Sequence, residues 1–183
     1  TQLLRTLSYT RKKEELDRIF SSTNSLIGIE LLQDLKMTKD LEINIPNNLV
    51  ATTSAIGIWA QIEVLGDYQF SNQERDCIDK VKSIIKYGII DNIVLYEYGL
   101  YSSIIAADIL ETDRNTVSDI YKNIPIYSSK DIKINGDDII KLLNIEPGSI
   151  IKSIISEIEL NILNGTLKNE EEELKAFVIK NWK

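Results

Sequence analysis

Histidine is absent from the 183 residues and cysteine occurs once. Without histidine there is no Ser-His-Asp triad, no Cys-His dyad, no histidine-based metal site and no HD-type phosphohydrolase. A single cysteine, Cys77, excludes an internal disulfide and suits a reducing compartment. Flanked by Asp76 and Ile78 and without a basic partner, it reads as a small core residue rather than a nucleophile. Three prolines and eight glycines are too few for a loop-rich β-sandwich or a disordered chain. Aliphatic runs such as Ile84-Ile85 and Ile89-Ile90 are too short to span a bilayer, so no membrane partner is expected. No signal peptide is visible, which predicts a cytoplasmic protein, and a start at Thr1 suits a fragment.

What is present is an ordinary globular composition, 43% hydrophobic and 27% charged, with isoleucine mainly at helical spacing. The stretch with the most local grammar runs from residue 124 to residue 165. Ser128 and Ser129 suit the cap of a short turn, and Asn135 suits the cap of a helix that starts near Gly136. That helix carries Ile139, Ile140, Leu142 and Leu143 and ends near Asn144. Pro147-Gly148 opens a second helix. In it Ile150, Ile151, Ile154, Ile155, Ile158 and Ile162 recur at steps of three and four, so one face is buried, and Gly165 stops it.

This stretch resembles the tail of the bacterial class II CCA-adding enzymes, members of the tRNA nucleotidyltransferase and poly(A) polymerase superfamily. The matching elements are Pro125, Ser128-Ser129, Ile134-Asn135-Gly136-Asp137-Asp138-Ile139-Ile140, Ile145-Glu146-Pro147-Gly148, and Asn169 with Glu172. Several small motifs in order are far more specific than one Asn-Gly turn. Upstream, Ser8, Arg11, Glu15, Leu16, Arg18, Ile19 and Phe20 match the family's neck pattern, within one helix or two short ones broken near Ser8 to Thr10. Residues 25–35 form a second helix with Leu26, Ile27, Leu31, Leu32 and Leu35 on its apolar face. The family has glycine near its end where this chain has Lys36 or Met37, so a different exit turn is expected.

Asn44, Pro46, Asn47 and Asn48 mark a polar loop between neck and body. Residues 49–64 resume a helical pattern around Val50, Ile56, Trp59, Ala60 and Ile62, with Trp59 in the core and a local acceptor for its indole N–H. Ser71 and Glu74 form a capping box for the helix through Ile78, Val81, Ile84 and Ile85. Tyr96, Tyr98 and Tyr101 surround Gly99 in the 93–110 segment; they read as amphipathic packing residues, with stacking on unpaired bases the alternative. A last body helix ends near Lys122. The run Glu170–Glu173 sits at a helix start, where negative charge is favourable. The final helix, residues 174–182, docks through Phe177 and Val178.

The resemblance implies an all-α fold with neck helices over 1–43, a helical body over 44–123 and a smaller helical tail over 124–183. It implies the branch without an HD domain, and a parent enzyme that adds C, C and A to tRNA 3′ ends, with Mg2+, from CTP and ATP. The family's catalytic head, with its glycine-rich turn and D-x-D pair, has no match here, so the chain alone is expected to be inactive and to hold no cofactor. Expected partners are tRNA, through its acceptor/TΨC arm, and that head. Candidate RNA-binding residues are Arg11, Lys12 and Lys13 in the neck, and Lys130, Lys133, Asn135, Gly136, Lys141 and Lys152 in the tail. For each, a solvated helix face or an ordinary cap is the competing explanation.

Charge argues against strong non-specific RNA affinity. Residues 1–40 carry net +1, 41–124 net −6 and 125–183 net −2, giving −7 in all. Two alternatives stand beside the first reading: the same region of a bacterial poly(A) polymerase, and a non-catalytic helical interaction module with an acidic body.

Overall fold

The computed structural model describes residues 2–183, with side chains described from Leu4 onward; the helix start expected at Thr1 lies outside them. Among the described residues there are eleven α-helices and one two-stranded ladder, so the chain is all-α as expected. It divides into two compact units: residues 1–90 with 98–118, and residues 91–97 with 119–183.

The first unit contains α1 (Gln2–Thr6), α2 (Tyr9–Phe20), α3 (Ser25–Asp34), α4 (Thr38–Leu41), β1 (Ile43–Asn44), α5 (Ala55–Gln61), β2 (Glu63–Val64) and α6 (Asn72–Tyr87). The expected break falls between α1 and α2, where the Ser8 hydroxyl accepts from the Arg11 N–H. Trp59 is the centre of the core. Its ring lies 5.1 Å from Phe20, 5.3 Å from Tyr68 and 5.1 Å from Phe70, in tilted or edge-on geometry. Its indole N–H donates to Asp17 Oδ1 at 2.6 Å, an acceptor 42 residues away rather than a local one. Asp17 in turn accepts from Lys13 Nζ at 2.8 Å, and Lys13 reaches Glu74 at 2.6 Å. Glu74 closes the capping box of α6 by accepting from the Ser71 N–H. One polar chain thus fixes α2, α5 and α6 around one indole.

Two expectations are corrected here. The helical pattern over 49–64 narrows to α5, because Gln61 holds Val50 extended: its side-chain oxygen accepts from the Val50 N–H and its amide donates to the Val50 carbonyl. The chain then enters the ladder, Ile43 opposite Val64 and Asn44 opposite Glu63. On α3 the buried positions are Ser25, Ile29 and Leu32, whereas Ile27, Leu31 and Leu35 are more than half exposed. The exit turn of α3 is made without glycine: Lys36 takes φ 54° and the Met37 N–H donates to the Leu32 carbonyl.

Helix α7 (Asn92–Ile109) has one non-helical residue, Gly99, at φ 77° and ψ 166°, and α8 (Arg114–Lys122) follows. Residues 98–118 belong to the first unit and residues 91–97 to the second.

In the second unit a 3-10 turn (Ser129–Asp131) is closed by a Ser128/Asp131 capping box. It is followed by α9 (Gly136–Leu143), α10 (Ser149–Leu163) and α11 (Glu171–Trp182). Of the apolar spacing read from the sequence, Ile139, Ile154, Ile158 and Val178 are fully buried, and Leu174 with them, whereas Ile150, in the first turn of α10, is 44% exposed and does not join the buried face. Asn144 ends α9 at φ 53° and Gly165 follows α10 at φ 72°. Asn169 ties the turn to α11. Its side chain donates to the Asp131 carbonyl at 2.7 Å and accepts from the Lys133 N–H at 3.0 Å.

Candidate nucleic-acid interface

The sequence-predicted cations fall into two groups with different fates. In the first unit, Arg11 is exposed and pairs along its own helix with Glu14 at 3.1 Å and Glu15 at 2.9 Å. Lys12 is 4% exposed, donates to the Asp40 carbonyl at 3.0 Å and lies over the Tyr9 ring. Lys13 has a 12% exposed side chain shared between Asp17 and Glu74 and set over Phe70. Burial alone would lower the Lys13 pKa, but hydrogen bonds to the two carboxylates overcome it and raise the pKa, so the ammonium stays charged. Within the first unit Lys12 is therefore buried and Lys13 part-buried, each engaged with acceptors of that unit.

In the second unit Lys130, Lys141 and Lys152 are exposed and have no ion-pair partner among the described residues. Lys133 is exposed but paired with Glu170 at 2.8 Å, which holds the Glu170 carboxyl below its ordinary value. Asn135 is engaged as the cap of α9: it accepts from the Asp137 N–H at 2.8 Å and the Asp138 N–H at 3.1 Å, while Asp138 reaches back to the Asn135 N–H. Gly136 is half-buried, and a Cβ there would come within 3.3 Å of Ile151.

The tyrosines around Gly99 also separate. The Tyr96 hydroxyl donates to Glu159 at 2.6 Å, and burial together with that carboxylate pushes its pKa up; Tyr101 is 67% exposed.

The first unit also carries a groove of about 650 Å3 that the sequence did not announce. Ser22, Thr23, Ser25, Thr53, Asp108 and Arg114 line it. Arg114 donates to Asp108 Oδ1 through Nε at 2.6 Å, to Asp108 Oδ2 through Nη2, and to the Thr53 hydroxyl at 2.6 Å. Its walls come from the α2–α3 turn with the start of α3, the non-helical 51–53 segment, the end of α7 and the start of α8, stretches too far apart for any local motif to signal them. Among the described residues no group of three or more Cys, Asp or Glu side chains is arranged to hold a metal ion. No helix is long and apolar enough to cross a membrane among them either.

A family model described as tRNA nucleotidyltransferase domain 2 matches residues 47–178, more than half of the chain. The chain belongs to the tRNA nucleotidyltransferase domain 2 family. Among its relatives, the CCA-adding enzyme of Streptococcus uberis is 22% identical over 209 residues, covering 97% of this chain and 52% of that protein. The CCA-adding enzyme of Enterococcus faecalis is 29% identical over 92 residues, covering 48% of this chain and 23% of the relative. The crystal structure of the Bacillus stearothermophilus CCA-adding enzyme in complex with CTP superposes with a TM-score of 0.78 at 16% identity. It covers 98% of this chain and 53% of the solved one, a likeness of fold. The chain is therefore a region related to the CCA-adding enzymes, and it spans about half the length of the relatives it matches.

Proposed function

We propose that this family domain is the RNA-holding part of a CCA-adding enzyme. In this reading it grips the acceptor/TΨC elbow of tRNA while a catalytic head outside this chain, with Mg2+, transfers CMP and AMP from CTP and ATP to the 3′ end. The setting is the cytoplasm. The observation that carries the reading is the family match over residues 47–178, joined in the second unit by three exposed lysines, Lys130, Lys141 and Lys152, that have no ion-pair partner among the described residues. Such lysines contact phosphates as point charges. The names of the relatives favour CCA addition over poly(A) synthesis.

The test is binding of this chain to an acceptor–TΨC minihelix and to an unrelated duplex across a salt series. The minihelix is expected to bind more tightly. The triple substitution Lys130→Glu, Lys141→Glu, Lys152→Glu is expected to weaken it and to flatten the salt slope by about one for each lysine that meets a phosphate. Equal affinity for both duplexes, unchanged by the substitutions, would sink the reading.

A second reading, a helical protein-interaction module, is favoured by one observation: the Ile27, Leu31 and Leu35 stripe of α3, exposed by 64%, 58% and 56%.

A further inference from the structure

We propose that the groove at Arg114 is a ribose-binding site, reading the 2′-hydroxyl and its neighbours on an RNA strand; the proposal deepens the RNA-holding reading and rests on it. Four observations point there. First, Ser22, Thr23, Ser25 and Thr53 bring hydroxyls to the wall of the groove. A hydroxyl both donates and accepts, which matches a sugar hydroxyl better than it matches a one-signed ion.

Second, the site is electrically balanced. Among the described residues the charged groups lining it are Arg114 and Asp108, and they are engaged with each other edge to edge. An approaching phosphate would meet the Asp108 carboxylate together with the guanidinium, so the pairing disfavours an anion and tolerates a neutral polyol. Third, donors remain. Arg114 gives Nε and Nη2 to Asp108 and Thr53, which leaves both Nη1 hydrogens for a ligand. The Thr53 oxygen accepts from Arg114, which leaves its own hydrogen to donate.

Fourth, Ser25 is only 2% exposed and lines the groove, yet its hydroxyl makes no hydrogen bond among the described residues. Buried polar groups are paired in folded proteins, and one that opens on a cleft points to a ligand or to water. The wall behind it is fixed. The Thr52 hydroxyl is taken by the Ser54 carbonyl, and Thr52 packs so closely on Gly57 that a Cβ there would sit 2.4 Å from Thr52 Oγ1. The 2′-hydroxyl is the group that distinguishes RNA from DNA at a contact of this kind.

The test compares the minihelix with its all-2′-deoxy counterpart on the wild-type chain and on the Ser25→Ala, Thr53→Val double variant, which removes two hydroxyls and leaves the Arg114–Asp108 pair. Wild type is expected to prefer the ribose form. The double variant is expected to lose about tenfold in affinity for the ribose form and nothing for the deoxy form, with its melting temperature as the folding control. A wild-type chain indifferent to the 2′-hydroxyl, or a variant that keeps the full preference, overturns the groove.

A second probe separates this outcome from failure of the elbow reading. Millimolar uridine and 2′-deoxyuridine are titrated into 15N-labelled chain and the amide shifts followed. Shifts at residues 21–25 and 51–53 with uridine alone support the groove even where no duplex binds. No shift with either nucleoside, together with no 2′-hydroxyl preference in the duplex, removes it.

Discussion

Replacing Asp17 by alanine tests whether the buried indole is held by one carboxylate. Trp59 is 1% exposed, and its N–H donates to Asp17 at 2.6 Å. Alanine leaves that donor buried without an acceptor, a cost of about 1–3 kcal/mol. The Lys13 ammonium loses one of its two carboxylates, which on a part-exposed pair adds a few tenths to about 1 kcal/mol. The expected total is about 2–3 kcal/mol, or a fall of about 5–10 °C in the melting temperature of a chain this size. Asp17→Asn keeps an acceptor for the indole and is expected to recover more than half of the loss. The assay is urea unfolding followed by far-UV circular dichroism, a signal that every variant retains. A double-mutant cycle with Trp59→Phe isolates the pair, because once the N–H is gone nothing buried is orphaned. The expected coupling is about 1.5–2 kcal/mol. Coupling below about 0.5 kcal/mol would refute the reasoning, since the fluctuation in such cycles is of that order.

Two further predictions concern acid stability and one turn. Burial would raise the Glu74 pKa, but the hydrogen bonds from Lys13 and from the Ser71 N–H prevail and lower it below the ordinary 4.5. A depressed carboxyl stabilises the fold above its unfolded value and loses that contribution as pH falls through the folded value. Glu74→Gln is therefore expected to be less stable than wild type near neutrality and to converge with it on acidification below pH 4.5; a gap that stays constant down the acid limb would contradict the assignment. Gly99 sits at φ 77° and ψ 166° with nothing within 4 Å of a would-be Cβ. Gly99→Ala thus meets no steric neighbour, only backbone strain, and is expected to cost about 1–3 kcal/mol in a thermal melt; a neutral result would show that the bend relaxes.

The caps were legible in the sequence because each is a three- or four-residue affair. Ser71 with Glu74, Ser128 and Asn135 all bond within their own turn, and the carboxylates that complete the last two, Asp131 and Asp138, lie three residues on. The buried stripe of α10 was legible for the same reason: periodicity is local. Trp59 was legible as core but not in its partner, since Asp17 lies 42 positions back. Val50 was read as helical because nothing near it announces that the Gln61 side chain will satisfy its backbone. The α3 exit shows the limit from the other side. No glycine marks the turn, and Lys36 adopts φ 54° itself, tolerating a conformation that glycine takes more cheaply.

Charge shows why a candidate interface is harder to read than a helix. The most basic triplet in the chain, Arg11-Lys12-Lys13, looks like the natural place for a phosphate. Folding buries Lys12 onto the Asp40 carbonyl and engages Lys13 with Asp17 and Glu74, and Arg11 is matched by Glu14 and Glu15 on the same helix. The predicted cations left without an ion pair among the described residues, Lys130, Lys141 and Lys152, are scattered singly through the second unit, in a segment whose net charge is negative. A cation is available to RNA according to which carboxylates the fold brings beside it. That pairing is set by contacts tens of residues apart, so neither the total charge of −7 nor the density of lysine along the chain identifies the surface that binds.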